Sequence, residues 1–172
     1  MRIVGGKWAG RDLTSPNDFR VRPTAERVRA ALLDLLKADL PDARVLDLFA
    51  GTGALGLEAL SRGAKSADFV EFRPACTHAL KANVAALRMR DCTRIFKKDA
   101  LPFATMLTTA GAYDIAFCDP PYESRMLDRV IEGWQITHFA RVLAVEHAAT
   151  HKLPKGALRR DFDDTAITIY RA

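Results

Sequence analysis

The stretch Asp119-Pro120-Pro121-Tyr122 combines residue types that can hold an amino group and stack on a ring. Each proline fixes its own φ and disfavours the helical region for the residue before it, so Asp119 and Pro120 are held extended. The Asp119 carboxylate and the Pro120 carbonyl can then accept both hydrogens of an exocyclic amine and turn its lone pair towards an electrophile. The Tyr122 ring offers a face to a base. We therefore expect catalytic roles for Asp119, Pro120, Pro121 and Tyr122.

A second motif, Gly51-x-Gly53-x-x-Gly56, matches the dinucleotide fingerprint. Glycines let the backbone turn tightly and approach a ligand, and a following helix aims its N-terminal amides at it. Asp47 precedes Gly51 by four residues, and its charge would oppose a pyrophosphate but suit an amino group or a cation. Glu71 could accept hydrogen bonds from ribose hydroxyls in either kind of site. The glycine motif alone leaves both a dinucleotide and another nucleotide-like ligand open.

The elements that must position these residues alternate along the chain. A helix is predicted at 24–36, ahead of strands that alternate with helices and a final pair of strands. The predicted strands are 44–49, 66–72, 93–98, 113–119, 140–146, 157–162 and 165–171, and the later helices are 53–62, 75–87, 101–109 and 124–133. Such alternation predicts a mostly parallel sheet with helices on both faces. We expect the final hairpin to add an antiparallel strand at one edge.

Five of the predicted strands have a carboxylate within two residues of their carboxyl ends: Asp47, Glu71, Asp99, Asp119 and Glu146. In an open α/β sheet, ligands bind beyond the carboxyl ends of the strands. Helix capping would explain any one of these carboxylates singly. A row of five indicates a ligand site at this edge of the sheet.

Length and charge limit the remaining possibilities. The 172 residues suit one domain, and the net charge is +5. Residues 1–29 hold seven basic and three acidic residues, a balance of +4, around a predicted hairpin of strands 2–4 and 11–13. This basic segment indicates a polyanionic partner, with a solvated N-terminus as the equally weighted alternative.

Several classes of protein fit the sequence poorly. No apolar run is long enough to span a bilayer and no signal peptide is evident, so we expect a cytoplasmic protein without a membrane partner. The three cysteines are odd in number and widely spaced, which favours reduced thiols. His147 and His151 are four residues apart, but no third ligand is evident, so no metal is expected.

The segments "LDLFAGTGALGLEALSRGA", "FVE", "KKDA" and "DPPY" together resemble the S-adenosylmethionine-dependent amino-methyltransferases. The N-terminal "RIVGGKWAGRDL" and "RPTAERVRAALLDLL" further resemble the RsmD family of bacterial 16S rRNA guanine-N2 methyltransferases. The resemblance covers nearly the whole chain and is strongest over 1–71 and 119–122. It implies a Rossmann-like class I α/β fold with a mostly parallel seven-stranded sheet and an N-terminal β-hairpin extension. It divides the chain into a basic hairpin and loop, 1–22, and a methyltransferase domain, 23–172.

The resemblance also implies roles for individual positions. Asp47, Gly51 and Gly53 would shape the pocket for the methionine part of S-adenosylmethionine, and Glu71 would hold its ribose. Phe72, Asp99 and the backbone of Ala100 would lie at the adenine. Asp119 and Pro120 would hold the guanine amine while Tyr122 stacks on the base. The expected contacts to 16S rRNA, free or in the small ribosomal subunit, are Arg2, Lys7, Arg11, Arg20, Arg22, Thr24 and Arg27.

The product would be S-adenosylhomocysteine, the chemistry needs no metal, and a monomer is the simplest expectation. Three other interpretations stay open at this point. A DNA adenine-N6 methyltransferase could use the same Asp-Pro-Pro-Tyr motif. A non-catalytic RNA-binding assembly factor could keep the fold, and a nicotinamide oxidoreductase could use the glycine motif. Binding of S-adenosylmethionine or of NAD would distinguish among them.

Overall fold

The computed structural model describes residues 1–17, 25–122 and 124–172. The strands are β1 Arg44–Leu48, β2 Ser66–Val70, β3 Thr93–Phe96, β4 Tyr113–Cys118, β5 Ala140–Ala148, β6 Leu158–Phe162 and β7 Thr165–Arg171. The helices are α1 Glu26–Leu35, α2 Ala54–Ser61, α3 Pro74–Ala86, α4 Ala100–Thr105 and α5 Met126–Thr137, with a 3-10 turn at Arg90–Cys92. The predicted alternation of strands and helices is confirmed.

Helix α4 stops four residues short of its predicted end, at Thr105, and α5 runs four residues past its own. The sequence predicts that it ends at Gly133, whereas the helix continues to Thr137 and ends where His138 adopts a left-handed φ of 48°. A single glycine costs a helix only about 1 kcal/mol. Trp134, directly after it, is buried, and its Nε1 donates to the carbonyl of Ala140 at 2.7 Å. This packing stabilises the helix beyond Gly133.

The seven strands form one sheet in the order β3-β2-β1-β4-β5-β7-β6. The first five strands pair in parallel, and β7 pairs antiparallel with both β5 and β6. The final hairpin therefore lies at one edge of the sheet, as predicted, with the antiparallel β7 next to β5 and β6 outermost. The reason is composition, because β7 is buried over Thr165–Tyr170 while the charged β6 is largely exposed. A charged strand tolerates the edge better than an apolar one.

Helices cover both faces of the sheet, as predicted. Alternate strand residues such as Val45, Phe69 and Phe117 pack in one apolar cluster with α1, α2 and α3. Their neighbours Leu46 and Val70 pack on the opposite side with α4 and α5. Side chains that follow one another along a strand point to opposite faces. The face of any strand residue therefore follows from its position.

The N-terminal hairpin is anchored to the rest of the protein. Its two segments pair antiparallel, with the Ile3 amide donating to the Arg11 carbonyl and the Leu13 amide to the Met1 carbonyl, each at 2.9 Å. Ile3 and Leu13 are buried in the same apolar cluster as α1 and α2. Residues 1–17 therefore share the core of the domain that follows.

A buried ion pair strengthens this attachment. Arg29 of α1 and Glu58 of α2 lie fully buried, with Nε 2.6 Å from Oε2. The other Glu58 oxygen accepts from the amides of Val4 and Gly5 at 3.3 and 3.1 Å, and from Arg62 at 3.0 Å. Arg29 also donates to the carbonyl of Arg2. One pair of charges thus joins both helices to the hairpin.

None of the helices in the described ranges has the length and apolar character needed to cross a membrane.

Candidate active site

A cavity of about 730 Å³ opens at the carboxyl edge of the sheet. Its lining includes all five carboxylates that the sequence placed at strand ends, namely Asp47, Glu71, Asp99, Asp119 and Glu146. Strand alternation explains why four of them converge. Asp47, Glu71, Asp119 and Glu146 continue the alternation of Val45, Phe69, Phe117 and Ala144, which face α1, α2 and α3. The cavity lies beyond the carboxyl edge and is lined from both faces, by Val28 of α1 and Leu55 of α2 and by Ala100 of α4 and Met126 of α5.

Asp47 lies at the back of the cavity, and only 2% of its surface is exposed. Its Oδ2 accepts a hydrogen bond from the Gly56 amide in the first turn of α2, at 3.0 Å. Burial raises the pKa of Asp47 to about 8; the Gly56 hydrogen bond opposes this, and the nearby Asp119 and Glu71 charges add to it. The carboxyl group therefore takes up a proton more readily than an exposed aspartate, unless a cation lies against it.

Both glycines of the loop adopt a positive φ, and Gly53 is also closely packed. Gly53 caps α2 with φ 80°, and a Cβ there would stand 2.2 Å from Cδ1 of Leu80. Gly51 also has a positive φ, 57°, but a Cβ there would meet nothing within 4 Å. Gly53 is therefore needed for both conformation and space, and Gly51 for conformation alone.

Glu71 holds the loop from the end of β2. It is buried, and its Oε2 accepts from the amide of Gly51 at 2.9 Å. Its Oε1 accepts from the amide and the Nε of Arg73, at 2.9 and 3.0 Å. The carboxylate thus lies between the glycine loop and a guanidinium group. The sequence did not predict Arg73 as its partner.

The remaining predicted cofactor residues lie along the same side of the cavity. Asp99 is exposed and caps α4, since its Oδ1 accepts from the Leu101 amide at 3.3 Å. Ala100 is buried behind it, and Phe72 lines the cavity with 56% of its surface exposed. Asp47 and Asp99 therefore each accept from an amide in the first turn of a helix and also line the cavity.

The Asp-Pro-Pro-Tyr segment lines the cavity from the end of β4, the strand next to β1. Asp119 follows β4 directly and is half-buried, and Pro120 is buried. The hydroxyl of Tyr122 lies 2.5 Å from Oγ1 of Thr165 in β7. This hydrogen bond ties the turn after β4 to a strand two positions away in the sheet.

Aromatic and cationic groups surround the mouth of the cavity. Arg27 of α1 forms an ion pair with Asp163, in the turn between β6 and β7, at 2.9 Å. The Phe162 ring lies beside two guanidinium groups, its centroid 5.9 Å from Cζ of Arg27 and 5.6 Å from Cζ of Arg160. Phe162, Asp163 and Arg27 all line the cavity.

The residues predicted to contact RNA are dispersed. Arg27 lies at the cavity, and Arg2 pairs with Glu26, which begins α1. Arg11 donates to the carbonyl of Ala86, at the end of α3, at 3.2 Å. The Lys7 Nζ lies 4.9 Å from the centroid of the Trp8 ring. The backbone amide of Lys7 donates to the carbonyl of Ser61, the last residue of α2. Arg20, Arg22 and Thr24 lie outside the described residues.

Some site residues gave no signal in the sequence. Thr165 and Phe162 reach the cavity only because β7 is inserted next to β5, a pairing that no local pattern predicts. Asn83 of α3 also gave no signal in the sequence. Its Nδ2 donates to the carbonyls of Thr14 and Thr52 at 3.0 and 2.9 Å. It thereby joins the hairpin to the glycine loop.

Metal binding gains no support at this site or elsewhere in the described ranges. Within 1–17, 25–122 and 124–172, no group of three or more histidine, cysteine, aspartate or glutamate side chains could hold a metal ion. His147 hydrogen-bonds Thr168 at 2.8 Å, and His151 contacts Asp128 at 3.1 Å. Cys76, Cys92 and Cys118 are reduced thiols.

Comparison with known proteins gives this geometry a context. The sequence model of the family described as Conserved hypothetical protein 95 matches residues 1–162. Ribosomal RNA small subunit methyltransferase D of Escherichia coli is 40% identical over 139 residues, which cover 78% of this chain and 69% of the relative. The protein of that name from Haemophilus influenzae is 33% identical and covers 76% and 68%.

Solved structures agree with these relatives. The Escherichia coli protein yhhF superposes with a TM-score of 0.86 at 33% identity, covering 99% of this chain and 97% of its own. A hypothetical protein from Thermus thermophilus gives 0.85 at 32% identity, covering 100% and 99%. The sheet order and the methyltransferase relatives confirm the Rossmann-like class I methyltransferase fold. The chain belongs to the family of ribosomal RNA small subunit methyltransferase D, the RsmD family.

Proposed function

We propose that this protein transfers a methyl group from S-adenosylmethionine to the exocyclic N2 amine of a guanine in 16S rRNA, free or in the small ribosomal subunit. The observation that carries the proposal is the Asp-Pro-Pro-Tyr segment, which lines the same cavity as the glycine loop. The family's rRNA methyltransferases support rRNA as the substrate. A cytoplasmic location and a monomeric enzyme complete the proposal.

The cofactor half of the cavity fits a cationic nucleoside better than an anionic dinucleotide. Glu71 and Asp99 line it, and their charges oppose a pyrophosphate, while the buried Asp47 loses its proton most readily beside a cation. We assign Asp47 and the loop of Gly51 and Gly53 to the amino acid part of the cofactor and Glu71 to its ribose. Phe72, Asp99 and Ala100 would enclose the adenine. S-adenosylmethionine, when bound, supplies a methyl group on a sulfonium, which is already activated for transfer to a nucleophile.

The residues of the chain then have to position the acceptor and exclude water. The Asp119 carboxylate and the Pro120 carbonyl would accept the two hydrogens of the guanine amine and direct its lone pair at the methyl group. Tyr122, held by Thr165, would stack on the base. Asp119 would also take up or relay the proton that the amine loses after transfer. No general base is needed before that point.

The mouth of the cavity supports a nucleic acid as the substrate. Phe162, with two guanidinium groups within 6 Å of its ring, offers stacking and positive charge together. The ion pair of Arg27 with Asp163 is exposed, and exposed pairs are worth about 0–1 kcal/mol, so a phosphate could displace Asp163. We propose Arg27, Arg2, Lys7 and Arg11, with Arg20, Arg22 and Thr24 of the undescribed segment, as the RNA contacts.

The decisive experiment offers the protein labelled S-adenosylmethionine with small ribosomal subunits, free 16S rRNA and duplex DNA in parallel, followed by nucleoside analysis. We expect N2-methylguanosine in rRNA. Label that appears only in DNA, or as N6-methyladenosine, would refute the proposal. Titration with S-adenosylmethionine and with NAD completes the test, because a binding factor without catalysis should take up neither.

A further inference from the structure

We propose that Glu146 is the residue that selects guanine, by accepting a hydrogen bond from N1–H of the target base. This inference rests on the proposed function and names the base-recognising group of the same site. It is argued from the position of Glu146 beside Asp119.

Glu146 and Asp119 stand side by side on neighbouring parallel strands. Cys118 of β4 is in register with Val145 of β5, so the next residues, Asp119 and Glu146, occupy matching positions. Neighbouring strands are about 4.8 Å apart, and residues in register point to the same face. Both side chains line the cavity, and Glu146 is only 7% exposed. A base whose amine is held by Asp119 therefore presents its adjacent ring atom near Glu146.

The chemistry of that adjacent atom differs between the purines. In guanine, N1 carries a hydrogen next to the N2 amine, so the edge presents donors to both carboxylates. In adenine, the ring nitrogen N1 next to the N6 amine is an acceptor and would face a carboxylate without a hydrogen between them. Leaving a buried acceptor without a hydrogen-bond donor costs at least as much binding free energy as losing one hydrogen bond. Glu146 therefore favours guanine and opposes adenine.

The other polar side chains near the proposed substrate position have partners of their own. Arg27 pairs with Asp163, and the Tyr122 hydroxyl hydrogen-bonds Thr165. Glu146 is the carboxylate that β5 contributes to the lining, whereas Asp47 and Glu71 belong to β1 and the end of β2, on the cofactor side. The role of base selection thus falls to Glu146.

A base analogue isolates the proposed hydrogen bond. 2,6-Diaminopurine keeps the N2 amine that accepts the methyl group, but its N1 has no hydrogen. The guanine that the wild-type protein methylates is first mapped in 16S rRNA. RNA fragments are then prepared with guanine, 2,6-diaminopurine or adenine at that position, and kcat/KM is measured for each.

The wild-type protein should favour guanine over 2,6-diaminopurine by about a hundredfold or more, as sites built to bind a donor reject analogues that lack it. Glu146→Gln should narrow this ratio at least about tenfold, because its amide can accept from guanine N1–H or donate to the analogue's N1. Glu146→Ala should lose activity on guanine without gaining any on the analogue. Binding of S-adenosylmethionine and the melting temperature should stay close to wild type in Glu146→Gln.

Asp164→Asn serves as the matched control, since Asp164 is an exposed acid that lines the same cavity. This variant should keep the wild-type ratio of kcat/KM between guanine and 2,6-diaminopurine. A Glu146→Gln protein that binds S-adenosylmethionine normally and keeps the wild-type ratio of guanine to 2,6-diaminopurine overturns the inference. That result would leave the proposed function intact. Absence of N2-methylguanosine with the wild-type protein would refute both.

Discussion

At the scale of single residues, the two aspartates of the cavity are expected to separate catalysis from cofactor binding. Asp119 follows β4, and Asp47 accepts from the Gly56 amide of α2. Both are carboxylates on the same edge of one sheet. Under the proposed function, Asp119 would hold the substrate amine and Asp47 would bind the cofactor.

Changing Asp119 to alanine should abolish turnover and leave the affinity for S-adenosylmethionine largely intact. The amine would lose one of its two acceptors, and misplacement of a reacting group costs about a hundredfold or more in rate. Single-turnover methyl transfer to rRNA and calorimetric titration with the cofactor measure the two effects. Glu132→Gln, on the exposed side of α5, provides the control. Normal turnover in Asp119→Ala would contradict the assignment.

Binding of S-adenosylmethionine should strengthen as the pH rises towards about 8, the pKa of buried Asp47. Below that pH the carboxyl group must lose its proton before it can pair with a cationic amino group, so binding releases a proton. The affinity should change by at most about tenfold per pH unit. Titration in buffers of different ionisation enthalpy counts the protons. Asp47→Asn should bind more weakly and release none, and an affinity that falls over this range would contradict the prediction.

The same pKa predicts the stability of the protein without cofactor. Because folding raises the pKa of Asp47 from 3.8 to about 8, its contribution is complete below 3.8 and is lost as the pH rises through about 8. Asp47→Asn removes this dependence while its amide oxygen can still accept from the Gly56 amide. The difference in free energy of unfolding between variant and wild type should therefore move in favour of the variant as the pH rises. Urea denaturation at several pH values tests the sign.

At the scale of elements, the loop between β1 and α2 depends on two glycines for different reasons. Gly53→Ala should be the more damaging change, because the new methyl group would meet Leu80 as well as an unfavourable φ. Gly51→Ala has only the φ to overcome, at about 1–2 kcal/mol. Chemical denaturation gives both costs, and cofactor titration shows whether the loop still binds. Equal destabilisation by the two changes would contradict the clash at Gly53.

The sequence predicts elements and local motifs well because both depend on neighbours along the chain. Asp119 and Tyr122 are close together in the sequence, and strand alternation places Asp47 and Glu71 on one face. The insertion of β7 beside β5 is different, because it joins residues such as Glu146 and Ile167 that no local pattern relates. The Thr165 and Phe162 contributions to the cavity follow from that pairing. They could be found only in three dimensions.

At the scale of the whole molecule, the hairpin and the domain behave as one unit because of Arg29 and Glu58. A charged residue on a predicted helix is normally expected to be solvated, so no pattern in the sequence indicates this pair. Both side chains are completely buried, and Glu58 also receives the amides of Val4 and Gly5. The attachment of the proposed RNA-contacting hairpin therefore lies in the core.

Removing one member of this pair should be strongly destabilising. Glu58→Ala leaves Arg29 buried without its partner, which costs about 3–5 kcal/mol. Denaturation measures the loss, and hydrogen exchange at Val4 and Gly5 should show that the hairpin opens. Asp34→Asn is the comparison, since Asp34 pairs with Arg62 at 2.6 Å but is itself exposed, and such pairs contribute about 1 kcal/mol or less. Similar losses in the two variants would argue against the special role of the buried pair.

The hairpin also carries a built-in optical signal. The chain has two tryptophans, Trp8 and Trp134. Trp134 of α5 is buried against β5. Trp8 is half-buried, and its ring lies beneath Lys7. The backbone amide of Trp8 donates to Ser61 Oγ at 2.9 Å. In a Trp134→Phe background, emission would come from Trp8 alone. Its wavelength and anisotropy would then report the hairpin's surroundings without an added dye, and could follow the arrival of rRNA in real time.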